Sequence, residues 1–250
     1  RQYEEEQGRF FEEAEQLERR YQPMFERELE RRRDLVTKGK FKLGAPTTPP
    51  QPEFWYTVLT NHPTISQLLN KRDLAVLRYL RDVRISLLKE GAKGFKVSFE
   101  FDPNNPYLLD RVLEKEYLLY PKISMGQSVL REIRCRPERV SWKPMKDPSL
   151  VTYTRRYKNG TSTREVTTGQ SFFNLFLPLA LEPLPPGAQL TAREVETRAL
   201  IEREMQFDME VGYLFKDILV PQATTFFKMG LERRRSLPGG GRPAATESNG

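Results

Sequence analysis

One cysteine and one histidine are all that the 250 residues provide. Cys135 alone excludes an intrachain disulfide framework, and a reducing compartment suits that composition. Cys135 and His62 together fall short of an ordinary zinc site. Neither common glycine-rich phosphate loop occurs. The three glycines at 239–241 stand in a stretch poor in apolar residues and read as linker. Long apolar runs are also missing. The most apolar stretch, FFNLFLPLALEPLP, is interrupted by Asn174 and Pro178 and falls short of the roughly 20 residues that a membrane span needs. No apolar run near the start resembles a leader. The chain opens on Arg1, so a fragment or a processed form is expected.

These absences thin out catalysis. His62, beside a proline in TNHPT, reads as structural. Cys135, between Arg134 and Arg136, has no histidine or second cysteine near it in sequence and reads as an inert strand cysteine. Glu100, Asp102 and Asp110 read as a strand end and turn rich in acids. No enzyme, catalytic residue, metal or cofactor is expected, and no membrane partner.

Charge is abundant but uneven. The formal net charge is +7, which by itself suggests a polyanion partner. Residues 121–180 hold 11 basic and 4 acidic groups, whereas residues 181–230 hold 5 basic and 8 acidic. Four acids, Glu202, Glu204, Asp208 and Glu210, crowd one short run beside Phe207 and Met209.

Residues 1 to about 38 read as one long helix. Phe10, Ala14, Leu17, Tyr21 and Met24 alternate at spacings of four and three, the period of a helix lying along a partner helix. Homodimerisation is the expectation, with packing on the chain's own domain as the alternative. Pro23 is expected to kink or break the helix. Prolines in GAPTTPPQPE mark a linker. Beyond it, helical periods run from Glu53 to Leu80. Strand signals follow in VRISLL, GFKVSFEF, a segment after a helical turn in YLLDRVLEKEYLLY, Val129–Trp142 and Val151–Thr168. Asn159-Gly160 marks a hairpin. Thr191 to Phe227 reads as helical, with Thr191 and Glu194 as a capping box and Pro221 starting or kinking the last helix. The fold class is α+β: a long dimerisation helix (1–43), a linker (44–53), a domain of antiparallel sheet flanked by helices (54–230) and a disordered tail (231–250).

Five ordered blocks carry a resemblance. PEFWYTVLTNHPTI and KGFKVSFEFDPNNPYLLDRVLEKEY resemble the core of the nucleosome assembly protein family of histone chaperones. WKPMKDPSLVTYTRRYKNGTSTREVTTGQSFFNLFLP is similar to its tryptophan-lysine segment, basic hairpin and SFFNFF block. RRYQPMFERELERRRDLV resembles the end of its dimerisation helix, and MEVGYLFKDILVPQATTFF its closing helix. The resemblance implies an antiparallel homodimer with an earmuff-like domain at each end. It also implies ATP-independent binding of core histones, assembly and disassembly of nucleosomes, and shuttling between nucleus and cytoplasm. Three departures stand out: Leu108 replaces an aromatic, the basic hairpin is a shortened version of the family's import segment, and Arg233, Arg234 and Arg235 occupy the place where an acidic tail would begin.

Under that resemblance Glu194, Glu196, Glu202, Glu204, Asp208 and Glu210 form the acidic surface that takes histones. The blander reading pairs them along the helix with Arg193, Arg198 and Arg203. Arg155, Arg156 and Lys158 form a hairpin like the family's nuclear-import segment, with an import receptor as partner. Two rival classes remain. One is a nucleic-acid binder using the basic middle: Arg131, Arg134, Arg136, Arg139, Lys143, Lys146 and the hairpin. The other is a dimeric scaffold that binds no histones.

Overall fold

The computed structural model describes residues 2–37, 53–89, 92–121, 128–158, 160–177, 179 and 189–236. Helix α1 (Gln2–Thr37) is followed by three short helices, α2 (Phe54–Asn61), α3 (Pro63–Leu68) and α4 (Lys71–Leu77). Strands β1 (Leu80–Leu87), β2 (Gly94–Phe101), β3 (Val112–Pro121) and β4 (Ser128–Arg136) form an antiparallel meander in sequence order. Strands β5 (Leu150–Arg156) and β6 (Ser162–Thr168) pair only with each other. A 3-10 turn at Phe172–Phe176 precedes helix α5 (Ala192–Tyr213). A π-helical segment (Leu214–Leu219) and helix α6 (Ala223–Ser236) close the order.

Period-two alternation drives the sheet. Phe95, Val97, Phe99 and Phe101 of β2 are buried, while the residues between them lie half-open. The Phe99 ring meets the edges of Phe172, Phe176 and Phe215 at 5.8, 5.4 and 5.2 Å. Thus the 3-10 turn and the π segment cover the sheet's apolar face. Full burial of each such side chain contributes roughly 1.5–3 kcal/mol. On the flank, Phe54 of α2 packs on Phe227 of α6 at 4.8 Å. Gly230 lets these two helices touch: a Cβ there would stand 2.5 Å from both Thr57 and Asn61.

Polar ties fix the short helices. Asn70 and Asp73 form a capping box on α4. The buried Asp73 carboxylate also accepts from Ser171 Oγ (2.6 Å) and the Phe172 amide (2.8 Å), which joins α4 to the 3-10 turn. His62 caps α3, its Nδ1 accepting from the Ile65 amide, with its ring 4.8 Å from that of Phe226.

Several expectations need correction. Of the kink or break expected at Pro23, the break does not occur: helix α1 runs on to Thr37, because one lost backbone bond does not outweigh the contacts that hold the helix on both sides. Tyr107–Asp110 is no helical turn, because Leu108 bridges to Trp142 and the Leu109 amide donates to the Ser141 carbonyl. The last helix reaches Ser236, so residues 231–236 are helical rather than tail. The hairpin stands where Asn159-Gly160 placed it, with Gly160 at φ 82°, although Asn159 itself lies outside the described residues. Most of the 44–53 linker and all of 237–250 also lie outside them.

Candidate functional site

Helix α5 has two unlike halves. At its start the Thr191 hydroxyl accepts from the Glu194 amide (3.3 Å), and the Glu194 carboxylate accepts from the Thr191 amide (2.8 Å) and hydroxyl (2.7 Å). Those bonds hold the Glu194 carboxyl below its ordinary range. From Ala192 to Leu200 nearly every residue is exposed, Val195 and Leu200 included. Inward contact starts at Ile201 and Met205. The second half is fixed on β3. Gly212 lies against the Tyr117 ring, where a Cβ would come within 2.5 Å. Asp208 is 2% exposed and pairs with the equally buried Lys115, which also donates to the Leu175 carbonyl. Tyr117 donates to the same carboxylate at 3.0 Å. Burial pushes the Asp208 carboxyl up, against the pull of Lys115 and Tyr117.

Asp208 is therefore no part of an exposed acidic surface, and that assignment is corrected: its charge is neutralised inside the core. Glu194, Glu196, Glu202, Glu204 and Glu210 are exposed. Among the described residues Glu196, Glu202 and Glu204 form no ion pair within the helix or across it, so the pairing with Arg193 and Arg203 does not form. Glu210 accepts from Gln206 at 3.2 Å. Phe207 is exposed between the acids, whereas Met209 is buried.

Helix α1 also shows two faces. Glu15, Arg19, Gln22, Leu29, Arg33 and Val36 repeat at heptad positions and meet the chain's own domain. Arg19 donates to the Leu88 (2.8 Å) and Ala92 (3.1 Å) carbonyls, Glu15 pairs with Lys93 (3.2 Å), Arg33 pairs with Asp82 (3.4 Å) and Glu100 (3.2 Å), and Val36 is buried. From the π segment Lys216 reaches Glu18 at 2.7 Å. The stripe of Phe10, Ala14, Leu17, Tyr21 and Met24 lies two residues out of phase with that set, roughly 200° around the helix. It is exposed: Phe10 by 65%, Leu17 by 54%, Tyr21 by 43% and Met24 by 57%. One face of α1 thus packs on the chain's own domain, and the opposite face carries the exposed stripe.

The basic middle divides. Strand β4 belongs to the meander and the hairpin does not. Arg134 pairs with Glu132 (2.8 Å) and Arg136 with Glu116 (3.9 Å). Lys143 donates to the Asn105 carbonyl, and Lys146 sits over the Tyr107 ring. Arg139 is exposed, and the Arg131 side chain lies outside the described residues. The hairpin is exposed along nearly its whole length; Arg155 makes a 3.5 Å contact to Glu165, and Arg156 and Lys158 are open to solvent.

The ties made by Asp73 and Lys115 were missed. Lys115 had a signal, since it shares the inward phase of β3 with Leu113 and Tyr117. Cys135 is buried opposite Lys115, and burial pushes its thiol up, so the flanking arginines do not activate it. Among the described residues no group of three or more His, Cys, Asp or Glu is placed to hold a metal ion. No described helix is long and apolar enough to cross a membrane.

The family model for nucleosome assembly protein (NAP) matches residues 1–229. Nucleosome assembly protein 1;2 of rice (Oryza sativa subsp. indica) is 30% identical over 237 residues, covering 88% of this chain and 62% of the relative. Human nucleosome assembly protein 1-like 4 is 25% identical over 269 residues, covering 88% of this chain and 68% of the relative. In structure the chain is similar to nucleosome assembly protein 1 from Plasmodium knowlesi, with a TM-score of 0.63 at 24% identity, covering 92% of this chain and 91% of that one. The chain thus spans about three-fifths of the rice relative's length. A family model that takes in α1, the meander, the hairpin, α5 and the first half of α6 makes this chain a member of the nucleosome assembly protein family.

Proposed function

We propose that this chain is a homodimeric histone chaperone. Two copies join through the exposed stripe of α1, and core histones bind at the acidic face of α5. The observation that carries the reading is the family match across residues 1–229. The surface suits it. Glu196, Glu202 and Glu204 are exposed and form no ion pair among the described residues, so they keep their field for a cationic partner. Phe207, Val195 and Leu200 add exposed apolar area beside them. Such a face shields histone charge from DNA and blocks wrong contacts without ATP. No bond-making step is required. Shuttling between nucleus and cytoplasm, with an import receptor on Arg155, Arg156 and Lys158, belongs to the same reading.

The test is a competition near physiological salt between the chain and a short DNA duplex for a labelled histone dimer, with the mass of the complex read by light scattering. Removal of histone from DNA into a complex holding two copies of the chain is the expected result. Histone left on the duplex overturns the reading. If the chain itself joins the duplex, the exposed hairpin becomes a nucleic-acid surface.

A further inference from the structure

Arg233, Arg234 and Arg235 end α6 and are followed at once by Ser236 and Leu237. Nothing in the chaperone reading uses this run. We propose that Ser236 is a phosphorylation site for an arginine-directed serine/threonine protein kinase. Ser236 is the only serine or threonine of the chain with arginine both two and three residues before it. Guanidinium forks at those places suit the carboxylates of an acidic substrate groove, which they engage by paired charge-assisted bonds. Ser86 and Ser141 each have one arginine two residues before them, but Ser86 lies within β1 and Ser141 is half-buried.

Geometry separates Ser236 from the packed body. Helix α6 is fixed as far as Gly230, in close contact with Thr57 and Asn61, and Leu231 still packs on the core. From Glu232 to Ser236 every residue is exposed. The last carbonyls of a helix have no partner within it, so a terminal turn opens at little cost. Threading this turn into a kinase cleft breaks few ties. Arg234 gives up Thr57 Oγ1 (3.1 Å) and Glu53 (3.6 Å), and Ser236 Oγ gives up the Glu232 carbonyl (2.8 Å). In the transfer, Ser236 Oγ attacks the γ-phosphorus of ATP. The bond from that phosphorus to the ADP oxygen breaks, and the hydroxyl proton passes to the kinase's catalytic carboxylate.

The phosphate carries about −2 charge. Three arginines less Glu232 give +2 over residues 232–236, so modification brings this end of α6 close to neutral. The site does not depend on the chaperone reading. Its consequence does: a neutralised end attracts DNA less, and the exposed acids of α5 then meet histone with less competition from duplex held on the same chain.

The 250-residue chain is incubated with ATP, Mg2+ and the catalytic domain of an arginine-directed kinase, with an acid-directed kinase in parallel. Intact mass gives the stoichiometry, and fragment masses give the site. One phosphoryl group at Ser236, from the arginine-directed kinase alone, is the expected result. Ser236→Ala abolishes it, and Arg233→Ala with Arg234→Ala slows it at least about tenfold. Labelling that leaves Ser236 empty, or that ignores the loss of both arginines, overturns the proposal. In the histone–duplex competition the phosphorylated chain strips histone at several-fold lower concentration than the unmodified chain. Equal potency overturns the charge consequence, while failure of both forms to strip histone overturns the chaperone reading and leaves the labelling result intact.

Discussion

Between β3 and α5, Lys115 and Asp208 hold their charges inside the core, and each depends on the other. Removing one partner leaves an uncompensated buried charge. Asp208→Ala is therefore expected to lower stability by about 3–5 kcal/mol, read from urea unfolding. Replacing both, with Lys115→Met and Asp208→Leu, recovers most of that loss, because no charge is then stranded. His62 gives the chain a pH dependence. Its Nδ1 must be unprotonated to accept from the Ile65 amide, and burial pushes its pKa below the ordinary value near 6.5. The folded chain thus binds fewer protons there than the unfolded one. Stability from this residue is present above about pH 6.5 and is lost as pH falls through the lowered folded value. His62→Asn keeps a capping acceptor and removes the titration, so its unfolding midpoint gains on that of the parent chain as pH drops below this point. Met145, with φ 60° and its side chain fully exposed, occupies a conformation that favours glycine. Met145→Gly should raise stability by about 1 kcal/mol, measured by thermal unfolding.

Elements were legible where one period dominates a segment. The alternation in β2 and the capping box of α5 are local signals, and both stand in the fold. Contacts between segments distant in sequence were not legible. The bridge from Leu108 to Trp142 joins residues far apart, so no local window reveals that Tyr107–Asp110 bends instead of turning helically. For α1 the period was readable but the number of faces was not. The domain-facing set is mostly polar or charged, so it looks like a solvated face until β1, β2 and the loop between them supply carbonyls and acids to meet Arg19 and Arg33. This division sets a test at the level of the helix. Leu17→Glu with Tyr21→Glu alters only the outward stripe. Sedimentation should then report single copies in place of pairs, while the unfolding of the domain is unchanged. Arg33→Ala should act in the opposite sense, lowering domain stability and leaving the pairing intact.

Across the whole molecule, a net charge of +7 says little about what any one surface attracts. Many cations on and beside the meander are paired: Arg33 of α1, Arg84 and Arg111 meet Glu100, Arg33 and Arg84 also meet Asp82, and Lys96 meets Glu114 at 2.8 Å. Two surfaces carry much of what remains open. Among the described residues, acids without an ion pair stand along α5, beside the exposed Arg193 and Arg203, and open cations stand on the hairpin and the end of α6. The sequence showed this division as a basic middle followed by an acidic segment. It did not show that Asp208 turns inward, because a carboxylate's direction depends on where the facing strand puts its lysine. The two surfaces should separate under mutation. Glu196→Gln, Glu202→Gln and Glu204→Gln together remove three unpaired, exposed charges without touching a structural bond. Histone affinity is then expected to fall roughly tenfold or more near physiological salt, with a shallower salt dependence, because steering by exposed charge is screened over about 8 Å. Arg155→Gln, Arg156→Gln and Lys158→Gln should leave histone affinity in place and flatten the salt dependence of any hold on duplex DNA. Titrating labelled histone and labelled duplex against both variants at several salt concentrations reads the four responses together. A loss of histone binding confined to the hairpin variant would move the histone site off α5.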